Sequence, residues 1–116
     1  MDKKSIGKNG ENIAANYLSA LGYKILDQNV IKNGVEADII AMDKNTMVIV
    51  EVKTKTATDY GQPEEMVTYF KQKQLKRFVR GIISERGWVS IRIDVVGVTM
   101  SDDGPQIEHI ISAVED

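Results

Sequence analysis

The stretch "VIVEVKTK", residues 48–55, decides the fold and poses the functional question. Side chains alternate across a strand, so Met47, Ile49, Glu51 and Lys53 share one face, and Val48, Val50 and Val52 share the other. Both faces begin apolar, which predicts an internal strand covered on both sides. Glu51 and Lys53 then fall at the C-terminal end of one covered face. A half-buried charge is costly unless it has a partner or a task.

The preceding run sharpens the question. "VEADIIAMD" and "TMVIVEVKTK" are two strand-like runs joined at the turn-prone "KNT", which predicts an antiparallel hairpin. Within the first run, Glu36 and Asp38 share a face with Ile40. Such a hairpin brings Asp38 beside Glu51, so two carboxylates and a lysine meet at one end of the sheet. Hard divalent cations favour an oxygen-rich site of this kind, and a lysine there can neutralise a phosphate or position a water. The competing reading is a structural ion pair, Glu51–Lys53 or Asp38–Lys53.

Further out, "SIGKNGENIAANYLSAL" (5–21) predicts a helix, with Ile6, Ile13, Ala14, Tyr17, Leu18 and Leu21 at helical spacing. Ser5 is a candidate N-cap and Gly22 a candidate stop. Gly7 and Gly10 oppose the helix by roughly 1 kcal/mol each relative to alanine. "YKILDQNV" (23–30) predicts a strand closed by the turn "KNG". Pro63 stands near the start of a helix over about 64–84, where Val67, Leu75, Phe78, Val79 and Ile82 form the apolar stripe. Lys71 falls in the middle of that stripe, either snorkelling or reaching for the charged end of the sheet. "WVSIRIDVVGVTM" predicts a fourth strand, "SDDGPQ" a turn, and "IEHIISAV" a last strand or short helix. The whole chain, 1–116, is expected to be one mixed α/β domain of order αβββαβ plus a tail.

Composition excludes several classes. A chain of 116 residues that is 42% hydrophobic and 28% charged has an ordinary globular make-up. It lacks an apolar run long enough to span a bilayer and an apolar secretion-signal core, so a cytoplasmic location is expected. With no cysteine and one histidine, there is no thiolate nucleophile and no multi-histidine metal cluster. His109, in an apolar segment, reads as structural. "GKNGEN" lacks the Gly-Lys-Ser/Thr ending of a phosphate loop. Although the net charge is −2, residues 53–92 hold nine basic residues against four acidic ones. A locally basic surface of that kind can attract phosphates.

An Asp, about a dozen residues, then Glu-x-Lys in this element order resembles the PD-(D/E)xK, or restriction-endonuclease-like, superfamily. More narrowly, "GKNGENIAANYLSALGYKIL", "EADIIA", "VEVKTK", "YGQPEEMV", the lysine at 71 and "RIDVVGV" resemble the YraN-like family related to Holliday-junction resolvases. The likeness covers roughly residues 5–98. It departs from the family pattern at Val35 and Ala37, where a Gly-Glu-Ile-Asp is usual, and at Lys55 and Ile93.

The resemblance implies a restriction-endonuclease-like core with a central mixed sheet flanked by helices. It makes Asp38 and Glu51, with the Val52 carbonyl, ligands for Mg²⁺ or Mn²⁺, and Lys53 the catalytic lysine. Glu11 becomes an additional acid, Lys71 the helix lysine, and Glu36 a supporting group. The implied activity is hydrolysis of DNA phosphodiester bonds, on duplex or branched DNA, with the basic segment 71–80 along the backbone. A resolvase-like role further implies a homodimer, since a four-way junction presents two equivalent cleavage points. Trp88 and the tail are candidates for core packing or for a dimer seam. Two other functions stay open: a nucleic-acid-binding module of the same fold with little or no activity, and an interaction protein whose charges form only an ion-pair network.

Overall fold

The computed structural model describes residues 3–56, 68–87 and 90–114, with side chains from Gly7 onward. The expected roles of Pro63, Val67 and Trp88 lie outside those residues, as does the side chain of Ile6; the expected N-cap at Ser5 is corrected, since α1 already begins at Lys3. The elements are α1 (Lys3–Ala20), β1 (Lys24–Lys32), β2 (Val35–Asp43), β3 (Thr46–Thr56), α2 (Tyr69–Arg86), β4 (Ile91–Met100) and β5 (Gln106–Val114). They form an α/β fold, a five-stranded mixed sheet in the order β1-β2-β3-β4-β5 with two helices, compatible with a restriction-endonuclease-like core.

β1, β2 and β3 form an antiparallel meander, and β4 and β5 an antiparallel hairpin. β3 and β4 run parallel. Parallel neighbours need a crossover, and α2 lies between them in the chain. The β1–β2 turn is Asn33–Gly34, both at positive φ (54° and 75°). That geometry suits the twist of a tight hairpin and accounts for the Asn-Gly pair. The segment left as strand or helix is strand β5, which makes the order αβββαββ.

The expected helix start at 64 is corrected. Thr68 is extended, and its hydroxyl accepts from the Lys71 N–H at 3.1 Å, so α2 begins at Tyr69. A threonine in this role satisfies one of the backbone donors that every helix start leaves unpaired. At the other end the Gly87 N–H donates to the Ile83 carbonyl at 2.8 Å.

β3 is covered on both sides, as its two apolar faces require. Val48, Val50 and Val52 pack with Ala14, Ala15 and Leu18 of α1. Met47 and Ile49 pack with Leu75, Phe78 and Ile82 of α2. Fully burying one such side chain is worth roughly 1.5–3 kcal/mol, so these two layers hold β3 in the middle of the fold. α1 comes close to the sheet at Gly10, where an added Cβ would collide with the Thr54 side chain. The glycine that weakens the helix is therefore the one that lets it lie on β3.

β2 departs from simple alternation. Val35 and Ala37 pack in the α2 layer, as do Ile40 and Met42, whereas Ile39 and Ala41 pack in the α1 layer. The strand thus exchanges faces at Asp38. Irregularity surrounds that point. β1–β2 pairing runs to Gln28↔Ile39, resumes at Val30↔Ala37, and steps over Asn29 and Asp38. Asn29 itself sits at φ 54°.

Candidate functional site

The site forms where β2 leaves β3. Their paired register ends at Ile39↔Val50, and its next step would set Asp38 opposite Glu51. Past that pair the Val52 N–H donates to Asp38 Oδ2 at 2.7 Å instead of to a neighbouring strand. In antiparallel pairing a residue offers its N–H and C=O to the same edge, so the Val52 carbonyl faces the same gap.

Glu51 is only 4% exposed. Lys53 Nζ lies 3.5 Å from its Oε1 and Lys71 Nζ 3.4 Å from its Oε2. Lys71, from the middle of the α2 apolar stripe, therefore does reach the charged end of the sheet. Its Nζ also lies 3.5 Å from the Glu36 carbonyl. Glu51 Oε2 is fully buried; it meets the Lys71 ammonium at 3.4 Å as an ion pair but accepts no hydrogen bond of good geometry. An orphaned buried carboxylate oxygen is uncommon and calls for an explanation, such as an ion.

Burial dominates the electrostatics of the two carboxyls, in spite of the neighbouring lysines. Burial first, and the neighbouring Glu51 charge second, push the Asp38 carboxyl up from 3.8 to about 7, although the Val52 N–H and Lys71 oppose the shift. Burial also raises Glu51, against the pull of Lys71 and Lys53. A divalent cation between the two carboxylates would offset both penalties. The donor set of two carboxylates and a backbone carbonyl, all oxygen, suits Mg²⁺ or Mn²⁺.

Glu11 is held apart from this pair. The Asn29 side-chain amide donates to Glu11 Oε2 at 3.1 Å and to Glu36 Oε1 at 3.0 Å, using both of its hydrogens. Lys8 Nζ lies 3.5 Å from Asn29 Oδ1. Glu11 is still near enough for its charge to help raise Asp38. Among the described residues, however, no three acids or histidines are grouped closely enough to hold an ion. The structure thus brings Asp38, Glu51, Lys53, Lys71 and the Val52 peptide together, and links Glu11 and Glu36 to them through Asn29. Asn29 carried no signal in the sequence beyond the readiness of asparagine to adopt positive φ.

A second polar cluster, also missed, lies on the α1 side. Asp94 is fully buried and accepts from Arg92 Nε at 3.0 Å and the Ser112 N–H at 3.0 Å. His109 Nε2 is 2.8 Å from its other oxygen, and His109 Nδ1 is 3.2 Å from the Tyr17 hydroxyl. Arg92 also donates to Asp43 at 3.1 Å and to the Tyr23 hydroxyl at 2.7 Å. The β5 bulge, with Ser112 at φ 55°, turns its N–H toward Asp94. Burial pushes the Asp94 carboxyl up, but the His109, Arg92 and Ser112 hydrogen bonds outweigh it and hold the group below its ordinary value. With its partners satisfied, this cluster fastens α1, β2, β4 and β5 and Tyr23 just before β1, and His109 has the structural place expected of it.

Among the described residues no helix is long and apolar enough to cross a membrane. The model of the family described as "Uncharacterised protein family UPF0102" matches residues 10–98. That span contains Glu11, Asp38, Glu51, Lys53 and Lys71. A UPF0102 protein of Geobacter sulfurreducens is 43% identical over 97% of this chain and 90% of its own length. One from Geobacter metallireducens is 42% identical, covering 99% of this chain and 96% of the relative. Another, from Caldanaerobacter subterraneus, is 37% identical over 97% of each. The chain belongs to the UPF0102 family.

Proposed function

We propose that this protein is a metal-dependent DNA endonuclease that hydrolyses phosphodiester bonds at the Asp38–Glu51 site. The observation that carries the reading is the buried Glu51 Oε2, left without a hydrogen bond beside a carboxyl held near neutrality. An ion-pair network built only for stability would be expected to give that buried oxygen a hydrogen bond as well as the Lys71 charge 3.4 Å away. Asp38, Glu51 and the Val52 carbonyl would hold Mg²⁺ or Mn²⁺. Such an ion, when bound, supplies a water of lowered pKa and offsets charge building on the phosphate.

The remaining work belongs to the chain itself. Asp38 is oriented by the Val52 N–H. Lys53, with its side chain 28% exposed, stands between Glu51 and solvent, where it can meet a phosphate oxygen or hold the attacking water. Lys71, from the helix side, opposes the burial that favours the protonated form of Glu51. Water adds to phosphorus, the P–O bond to one sugar breaks, and a phosphate monoester and an alcohol leave. The cations of α2 would hold the DNA backbone, contacts that position a strand without reading its sequence.

The test is cleavage of linear and branched DNA with Mg²⁺ or Mn²⁺. Lys53→Ala is expected to slow cleavage on the order of 10²-fold or more, the usual loss on removing one group that stabilises transition-state charge. It should not weaken metal binding. Absence of cleavage on every DNA form, or an unchanged rate in Lys53→Ala, would contradict the assignment.

A further inference from the structure

The first turn of α2 presents a feature that the proposed hydrolysis does not use. Tyr69 and Phe70 are 73% and 68% exposed, and they directly precede Lys71, which reaches Glu51. Among the described residues, the other large exposed apolar side chains are Leu21, Leu26, Ile31 and Ile111, no two of them adjacent in the chain. Single exposed apolar residues are ordinary, but two adjacent aromatic rings at the edge of a candidate site are not.

Their surroundings are cationic. The α2 sequence "YFKQKQLKRFVRGIISER" holds six basic residues and one acid. At 100° per residue, Tyr69, Lys73, Lys76 and Arg80 follow one side of the helix, and Phe70, Lys73 and Arg77 the next. Lys73 Nζ stands 4.6 Å from the centre of the Tyr69 ring, so an ammonium is already held against an aromatic face. From Tyr69 to Arg80 the stripe extends about 16 Å along the axis, room for a few phosphates. Aromatic faces beside a track of cations match a single strand, whose bases stack while its phosphates follow the charge. They match an intact duplex poorly, because its bases are already stacked on one another.

We propose that Tyr69 and Phe70 are a stacking platform for unpaired DNA bases, so that the strand delivered to the Asp38–Glu51 site is single-stranded there. The placement of the strand rests on the nuclease reading above; the binding itself does not. Substrates with unpaired nucleotides beside the scissile bond, such as flaps and branch points, are the class this surface fits.

The test is fluorescence anisotropy with a labelled oligothymidylate and a duplex of equal length, in EDTA so that no cleavage can occur. Tyr69→Ala and Phe70→Ala should each raise Kd for the oligothymidylate about tenfold or more and leave the duplex value nearly unchanged. Both rings are exposed, so melting temperatures should match wild type. Phe70→Trp should keep the affinity and show quenching of the new tryptophan on binding, after subtraction of the Trp88 signal. No loss with either alanine variant, or equal loss for both DNA forms, would overturn the platform even if Lys53-dependent cleavage is intact. A dimer that dissociates in Tyr69→Ala, or binding of the rings to anionic vesicles in place of DNA, would also overturn it. Selective binding of the oligothymidylate with no cleavage in Mg²⁺ would uphold the platform and sink only the nuclease reading.

Discussion

Asp38 is the residue on which the chemistry turns. Its carboxyl has an ordinary value of 3.8 and stands at about 7 in the folded, metal-free chain. Between those values the folded state keeps a proton that the unfolded state has released. Stability therefore falls as pH rises from about 4 to about 7, by at most about 1.4 kcal/mol per unit. Urea unfolding of metal-free protein across that range should show the slope, and Asp38→Asn should flatten it. The upward shift of Glu51 acts in the same direction. Metal binding requires the ionised carboxylate, so Mn²⁺ affinity should climb with pH by up to about tenfold per unit and level off above about 7. Asn29 has a different task, since it holds Glu11 and Glu36 by one amide. Asn29→Gly keeps the positive φ accessible and removes the amide, so it isolates that task. If Glu11 assists from this tether, the variant should cleave more slowly while its Mn²⁺ affinity stays close to wild type.

At the scale of elements, two close approaches build the site: α1 on β3 at Gly10, and β2 turning over at Asp38. Gly10→Ala places a methyl group against Thr54 and should cost about 1–3 kcal/mol by chemical denaturation, with partial recovery in Gly10→Ala/Thr54→Ala. The strands β2 and β3 were legible because their apolar residues alternate and a turn separates them. Lys71 was legible as a charge inside an apolar stripe. The exchange of faces at Asp38 was not legible. Strict alternation put Glu36, Asp38 and Ile40 together, whereas Ala37 and Ile40 pack in one layer and Glu36 bonds to Asn29. That break falls opposite Asn29 of β1, which sits at φ 54° and, like Asp38, is stepped over by the pairing. A strand's own pattern carries no record of an irregularity in its neighbour. β5 was ambiguous for a similar reason, since "IEHIISAV" suits either period and only pairing with β4 settles it.

Across the whole molecule, the sheet separates two kinds of buried charge. On the α1 side, Asp94 has Arg92, His109 and the Ser112 N–H, and the cluster is closed. On the α2 side, Glu51 has two lysines beside it and still one buried oxygen that accepts no hydrogen bond. The first arrangement is what stability asks of a buried carboxylate; the second leaves a valence for something else. Arg92→Leu should accordingly destabilise the fold by about 3 kcal/mol or more, because it leaves Asp94 short of a partner, with no change in metal affinity. Apart from Arg92 and Asp94, which are two residues apart, the bonded partners of the first cluster lie 15 to 92 residues apart in the chain, which is why its assembly could not be read from any local motif. The most direct measurement of the central claim is isothermal titration of Mn²⁺ into the wild-type protein and Glu51→Gln above pH 7. The account predicts one site in the wild type that Glu51→Gln weakens by at least tenfold, in a protein that remains folded. Equal affinity in the two proteins would contradict it.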